Sequence, residues 1–145
     1  QENRLVEPGG FALGGVAINL RNVAVPCYLL STRDDHIAPW TSTYKATQIY
    51  KGPSRFVLSA SGHIAGVVNP PAANKYCYWT NPDLPADPET WLNAAMRHEG
   101  SWWSDWQAWI APQSGKQVAA RQPGEGGLPA IEDAPGAYVR VRAVE

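Results

Sequence analysis

V-A-V-P-C-Y-L-L-S-T-R-D-D-H-I-A-P-W (residues 23–40) and R-F-V-L-S-A-S-G-H-I-A-G (residues 55–66) decide the fold of this chain. Each opens on an apolar run of strand length and closes on a polar loop. The first run, Val23 to Ser31, does not alternate, which suits a strand buried on both faces of a parallel sheet. Pro26 falls near its beginning, where a lost donor does little harm. After the polar loop Thr32 to Pro39, Thr41 or Ser42 is placed to cap a helix through about Tyr50. Tyr44, Thr47 and Ile49 are its inward candidates, and Gly52-Pro53 stops it. Arg55 to Ala60 is the second strand and Ser61-Gly62-His63 the turn after it. Strand–helix–strand makes the two strands parallel, so both following loops emerge at one carboxyl edge. Neighbouring strands lie about 4.8 Å apart, which brings an acid on the first loop within reach of His63 on the second. Spacing alone leaves Asp34 and Asp35 tied for that acid.

An acid after one strand and a histidine after the next is the layout of the last two members of a nucleophile–histidine–acid triad on an α/β-hydrolase-type sheet. An imidazole titrates near neutrality and suits a general base, and a carboxylate accepting its Nδ1–H fixes the tautomer. Gly62 is expected to let the backbone turn sharply before His63. The competing readings are a loop histidine bonded to backbone and an acid that caps a helix or pairs with Arg33. His36, beside the acid, either binds substrate, orients a water or is simply solvated. A metal site built from Asp35, His36 and His63 is disfavoured. Sequential side chains point apart, and no Cys or Glu completes the set. The triad's nucleophile should lie upstream of both residues, and neither Cys27 nor Cys77 sits in a nucleophile elbow. Cys27 reads as a small buried hydrophobe.

Working outward, residues 1–22 hold the breakers Pro8-Gly9-Gly10 and Gly14-Gly15 and read as a segment entering the sheet region. Asn69-Pro70-Pro71 and Asn81 to Pro85 are irregular. Asp87 is an N-cap with Pro88 at the first helical position, predicting a helix to about Arg97 that Gly100 ends. Ser101 caps another, whose Trp102, Trp103, Trp106, Trp109 and Ile110 share one helical face and are expected to pack as core. Residues 112–136 read as loop or linker. Residues 137–144 alternate, which fits an edge strand or a tail docking on a partner.

The 145 residues suffice for one ordinary domain, and seven Trp and six Tyr against two Phe imply large flat apolar surfaces. A net charge of −1 argues against nucleic acid or an anionic membrane as partner, and no apolar run is long enough to span a bilayer. Two cysteines make no disulfide framework and point to a reducing cytoplasm. A chain that opens on Gln1 without an initiator Met suggests numbering that starts inside a longer protein.

At T-R-D-D-H-I-A-P-W (32–40), S-A-S-G-H-I-A-G-V-V-N-P-P (59–71), W-T-N (79–81), G-S-W-W-S-D-W (100–106) and the ending A-P-G-A-Y-V, the chain resembles the C-terminal part of class I polyhydroxyalkanoate synthases. The resemblance implies an α/β-hydrolase core with a Cys–His–Asp triad that polymerises (R)-3-hydroxyacyl groups from their coenzyme A thioesters. It selects Asp35 over Asp34 as the acid and His63 as the base, and it places His36 and, less closely, Asn3 at the substrate. The family's nucleophilic cysteine lies far upstream and has no counterpart here.

These expectations describe the C-terminal portion of an α/β-hydrolase fold, parallel strands with flanking helices, incomplete without the upstream half. Residues 1–111 would belong to the catalytic core, 112–136 to a loop or linker and 137–145 to a terminal strand or tail. No metal and no cofactor is implied. The implied partners are the hydroxyacyl-CoA, the growing polyester, the upstream part of the same synthase and a second copy in a homodimer, in the cytoplasm on polyester granules. The 145 residues alone are expected to be inactive and poorly stable. Two rival readings are another α/β-hydrolase, an esterase or depolymerase, and a non-catalytic Trp-rich module that binds granules or a subunit.

Overall fold

A hairpin of two short strands, β1 (Phe11–Leu13) and β2 (Val16–Ile18), precedes the main sheet. Gly14 and Gly15 both take positive φ in its turn, as a two-residue hairpin loop requires. The N-terminal residues therefore close on themselves instead of entering the sheet. The molecule is known from a computed structural model that describes residues 2–143. Its contacts divide it into two units, Gln1–Gln113 and Ser114–Glu145.

The main sheet has four strands in sequence order, β3 (Cys27–Thr32), β4 (Ser54–Ser59), β5 (Cys77–Thr80) and β6 (Met96–Glu99). β3 and β4 are parallel neighbours in register from Cys27 opposite Ser54 to Thr32 opposite Ser59. The other two pairings, β4 with β5 and β5 with β6, are antiparallel. The sheet is thus mixed, with parallel pairing only where the helical crossover sits. β3 begins at Cys27, not Val23, directly after Pro26, whose nitrogen cannot join a ladder. Phe56, Val57 and Leu58 on β4 are all fully buried, which explains why that run does not alternate.

The crossover is two short helices, α1 (Trp40–Tyr44) and α2 (Ala46–Ile49), meeting at Lys45. Pro39 occupies the N-cap of α1, so neither Thr41 nor Ser42 caps it. Trp40 and Tyr44 project one turn apart onto β4. There they meet Phe56, Leu58 and Trp91 of α3 (Pro88–Asn93). Phe56 packs edge-on against Tyr44 at 5.0 Å and against Trp91 at 4.9 Å, the perpendicular geometry that ring quadrupoles favour. The Tyr44 hydroxyl donates to the Pro85 carbonyl at 2.7 Å, so this buried ring leaves no polar atom unpaired.

Asp87 caps α3 as its position implies, accepting from the Thr90 N–H at 2.7 Å. The helix ends at Asn93, however, and Met96–Glu99 is a strand. The run L-N-A-A-M-R-H-E favours helix by propensity, but pairing with β5 satisfies its backbone groups and overrides that weak preference. Gly100, at φ +85°, therefore follows a strand, not a helix. In α4 (Trp103–Ile110), the tryptophans divide. Trp102, just before the helix, and Trp109 pack on Tyr28 of β3. Trp103 and Trp106 stay 36% and 41% exposed, so the stripe is not a core face.

Residues 114–137 contain no strand or α-helix, and Tyr138–Arg140 is a single 3-10 turn. The alternating segment from 137 is not a strand through residue 143. Alternation supplies a face but no hydrogen-bonding partner, and a strand needs both. Residues 144 and 145 of that segment, like Gln1, lie outside the described residues. Among the described residues no helix is long and apolar enough to cross a membrane.

Candidate active site

The parallel pair β3–β4 continues its hydrogen bonding past the strand ends. Arg33 N–H donates to the Ser59 carbonyl at 2.8 Å and Asp34 N–H to the Ser61 carbonyl at 3.0 Å. The two loops leave the same edge stitched together. Just beyond these bonds, Asp35 Oδ2 lies 2.8 Å from His63 Nδ1. Asp34, tied with Asp35 by spacing, remains exposed.

The carboxylate of Asp35 is held on both oxygens. Oδ1 accepts the backbone N–H groups of Ile37 at 2.8 Å and Ala38 at 2.9 Å, and Oδ2 faces the imidazole. This is an Asx turn, in which an aspartate organises its own loop. The Ala38 N–H, then the His63 ring, then the Ile37 N–H favour the charged form, and together they lower the Asp35 pKa from 3.8 to about 2. The side chain of Asp35 is 8% exposed, that of His63 51%. An ionised carboxylate can only accept, so Nδ1 of His63 must be the donor. In the neutral ring the Nε2 lone pair then has no hydrogen-bond donor among the described residues, on a side chain that is half exposed.

The turn before His63 is made differently from the sequence expectation. Ser61, not Gly62, takes the left-handed conformation, at φ 74°. A non-glycine residue held there costs on the order of 1 kcal/mol, and the ladder bond from Asp34 to its carbonyl holds it in place. After His63 the chain forms one helical turn. Gly66 N–H donates to the Gly62 carbonyl and Val68 N–H to the Ile64 carbonyl. Gly66 admits no side chain: a Cβ there would sit 2.4 Å from the Ala60 carbonyl oxygen and 2.5 Å from Thr32 Cγ2.

The remaining sequence candidates are dispersed. His36 is exposed next to the pair and bonds to neither member. Asn3 lines a groove with Val6, Leu20, Ser42 and Lys45 that includes neither Asp35 nor His63. Cys27 starts β3, at the sheet edge opposite the pair, and is half-buried rather than buried. Cys77 starts the antiparallel β5 beside Ala60, where it is buried. No cluster of three His, Cys, Asp or Glu able to hold a metal occurs among the described residues. The third histidine, His98, is bonded through Nε2 to the Thr80 hydroxyl at 2.8 Å and stacked on Tyr78.

Sequence reasoning missed the donors that hold Asp35, because Ile37 and Ala38 act through backbone N–H groups. The signal was present in the loop itself, an Asp followed at two and three positions by residues free to donate. It also missed the packing around the His63 turn, where residues both near and far in the chain, Ala60 and Thr32, close on Gly66.

Compared with known proteins, the chain is 49% identical over 143 residues to the poly(3-hydroxyalkanoate) polymerase subunit PhaC of Cupriavidus necator, a match covering 98% of this chain and 24% of that protein. It is 50% identical over 130 residues to the corresponding subunit of Rhizobium etli, covering 90% of this chain and 20% of the relative. It is 40% identical over 141 residues to poly(3-hydroxyalkanoate) polymerase 2 of Ectopseudomonas oleovorans, covering 97% and 25%. The chain thus spans about a quarter of the length of the curated relatives it matches. No protein-family profile matches it.

Proposed function

We propose that this chain, homologous to poly(3-hydroxyalkanoate) polymerases along 98% of its own length, is part of such a polymerase and supplies the acid and base of a hydroxyacyl transfer. The reading takes the mixed sheet as the C-terminal part of an α/β-hydrolase core, residues 1–111, followed by a linker and a tail. Asp35 keeps the Nδ1 proton on His63 and stabilises the imidazolium. Nε2 takes the proton of a cysteine thiol carried by a part of the protein outside these 145 residues. The thiolate attacks the carbonyl carbon of an (R)-3-hydroxyacyl thioester, and the bond from that carbon to the sulfur of coenzyme A breaks. Coenzyme A leaves with the proton from the imidazolium. The hydroxyl of a further hydroxyacyl unit, deprotonated by the same Nε2, then attacks the carbonyl carbon of the acyl-cysteine; the ester bond forms, the bond from that carbon to the cysteine sulfur breaks, and the released thiolate recovers the proton from the imidazolium.

The observation that carries this reading is the 2.8 Å contact between Asp35 Oδ2 and His63 Nδ1, with Nε2 left open at the carboxyl edge of two parallel strands. His36 is assigned to substrate contact beside the base. Asn3 is assigned the same role across the crossover. The partners that follow from the reaction are hydroxyacyl-CoA, the growing polyester and the rest of the polymerase; a second copy and a place in the cytoplasm at the polyester surface rest on the resemblance alone. The test is coenzyme A release from (R)-3-hydroxybutyryl-CoA by the full-length gene product carrying His63→Gln. Loss of turnover is expected, and near-normal polymerisation refutes the assignment. A serine at the upstream nucleophile position would instead support the rival reading, an esterase or depolymerase.

A further inference from the structure

The helical turn that carries His63 ends on carbonyls with no partner of their own within the turn, as every helix end does. These carbonyls accept from α4, from the residues before it and from the end of β4. Trp102 Nε1–H reaches the Gly66 carbonyl at 3.1 Å and the Val67 carbonyl at 3.2 Å. Trp103 Nε1–H donates to the Val67 carbonyl at 2.9 Å. The Ser101 hydroxyl donates to the Asn69 carbonyl, and the Ser59 hydroxyl to that of Gly66 at 2.8 Å.

α4 is itself fixed to the sheet. The Asp105 carboxylate pairs with the Arg55 guanidinium of β4 and accepts from the Tyr28 hydroxyl of β3 at 2.9 Å. One continuous set of bonds thus runs from the two parallel strands through α4 to the turn, and the same strands carry the loop of Asp35. His63, half exposed, has Asp35 as its one side-chain partner among the described residues. The direction of its Nε2 therefore depends on where the turn sits.

We propose that Trp102 and Trp103 are positioning residues for His63, their indole N–H groups holding the Gly66 and Val67 carbonyls so that Nε2 faces the reacting thiol. This rests on the reading of His63 as the base. Removing the N–H while keeping a ring, as Trp102→Phe and Trp103→Phe do, loosens the turn without touching Asp35 or His63. Misplacing a reacting group by about 1 Å costs up to about a hundredfold in rate. Trp106, on the same helix with its indole donating to no acceptor among the described residues, is the control.

The variants are made in the full-length gene product. Two quantities are read: kcat and KM for coenzyme A release from (R)-3-hydroxybutyryl-CoA, and the low-field proton resonance of the His63 Nδ1–H without substrate. For Trp102→Phe and Trp103→Phe, kcat should fall by about tenfold or more while KM changes by less than about twofold, and the resonance should broaden. Trp106→Phe should leave both unchanged. Wild-type kcat with a sharp resonance in both test variants overturns the proposal, as does an equal loss in Trp106→Phe. Retained turnover in His63→Gln instead removes the reading of His63 as base. The resonance, which needs no turnover, then still decides whether the indoles hold the ring.

Discussion

Replacing Asp35 by asparagine tests the site most sharply, because the structure dictates which way the amide must face. Two backbone N–H groups, from Ile37 and Ala38, point at the position of Oδ1 at 2.8 and 2.9 Å. Only the amide oxygen of Asn can accept from them. The amide nitrogen is thereby forced into the place of Oδ2, 2.8 Å from His63 Nδ1. Its N–H now donates, so Nδ1 must carry the lone pair and the ring proton moves to Nε2. If His63 is the base, as proposed, it then presents a proton where it should accept one. The same tautomer inversion in a serine protease triad lowers kcat by about ten-thousandfold, and a loss of that order is expected here. The assay is coenzyme A release from (R)-3-hydroxybutyryl-CoA by the full-length gene product, with KM measured alongside. Because both loop donors keep their acceptor, the fold should be retained and the circular dichroism spectrum unchanged. A kcat within about tenfold of wild type would show that the Nδ1 proton is not what the carboxylate controls.

The depressed pKa of Asp35 sets a pH window. A carboxylate lowered from 3.8 to about 2 stabilises the fold above pH 3.8 and loses that contribution as pH falls through about 2. The difference in melting temperature between wild type and Asp35→Asn should therefore be constant above about pH 5 and shrink below pH 4; a difference independent of pH down to 2 contradicts the assigned cause. Gly66→Ala places a Cβ 2.4 Å from the Ala60 carbonyl oxygen and should destabilise by about 1–3 kcal/mol in urea unfolding, whereas a neutral result would mean the turn moves freely. Asp105→Leu leaves Arg55 and the Tyr28 hydroxyl without their acceptor and should cost about 1–3 kcal/mol by the same measurement. Burial first, then the bond to Asp105, pushes the Tyr28 pKa far above the usual phenol range. In an alkaline titration followed by tyrosinate absorbance, Tyr28 should ionise only on unfolding, and Asp105→Leu should bring its titration down.

What could be read from the amino-acid order was whatever depends on neighbours in the chain. The two apolar runs, the crossover between them and the Pro88 helix start are local, so the parallel β3–β4 pair and the shared edge of its loops were legible. The motif resemblance separated Asp35 from Asp34, and the structure brings Asp35 alone to the imidazole. Pairing at a distance was not legible. Met96–Glu99 is a strand because β5 offers backbone partners, and those groups leave no mark on the side-chain sequence. The tryptophans show the same limit. Trp91 is fully buried and Trp106 exposed, although both sit on short helices, because burial depends on which surface a helix meets. The chain's own order thus determined which two loops carry the acid and the histidine. Only the tertiary structure decided what holds them. Donors to the Asp35 carboxylate and to the carbonyls behind His63 are backbone and indole N–H groups, chosen by distance in space and not by residue type or spacing.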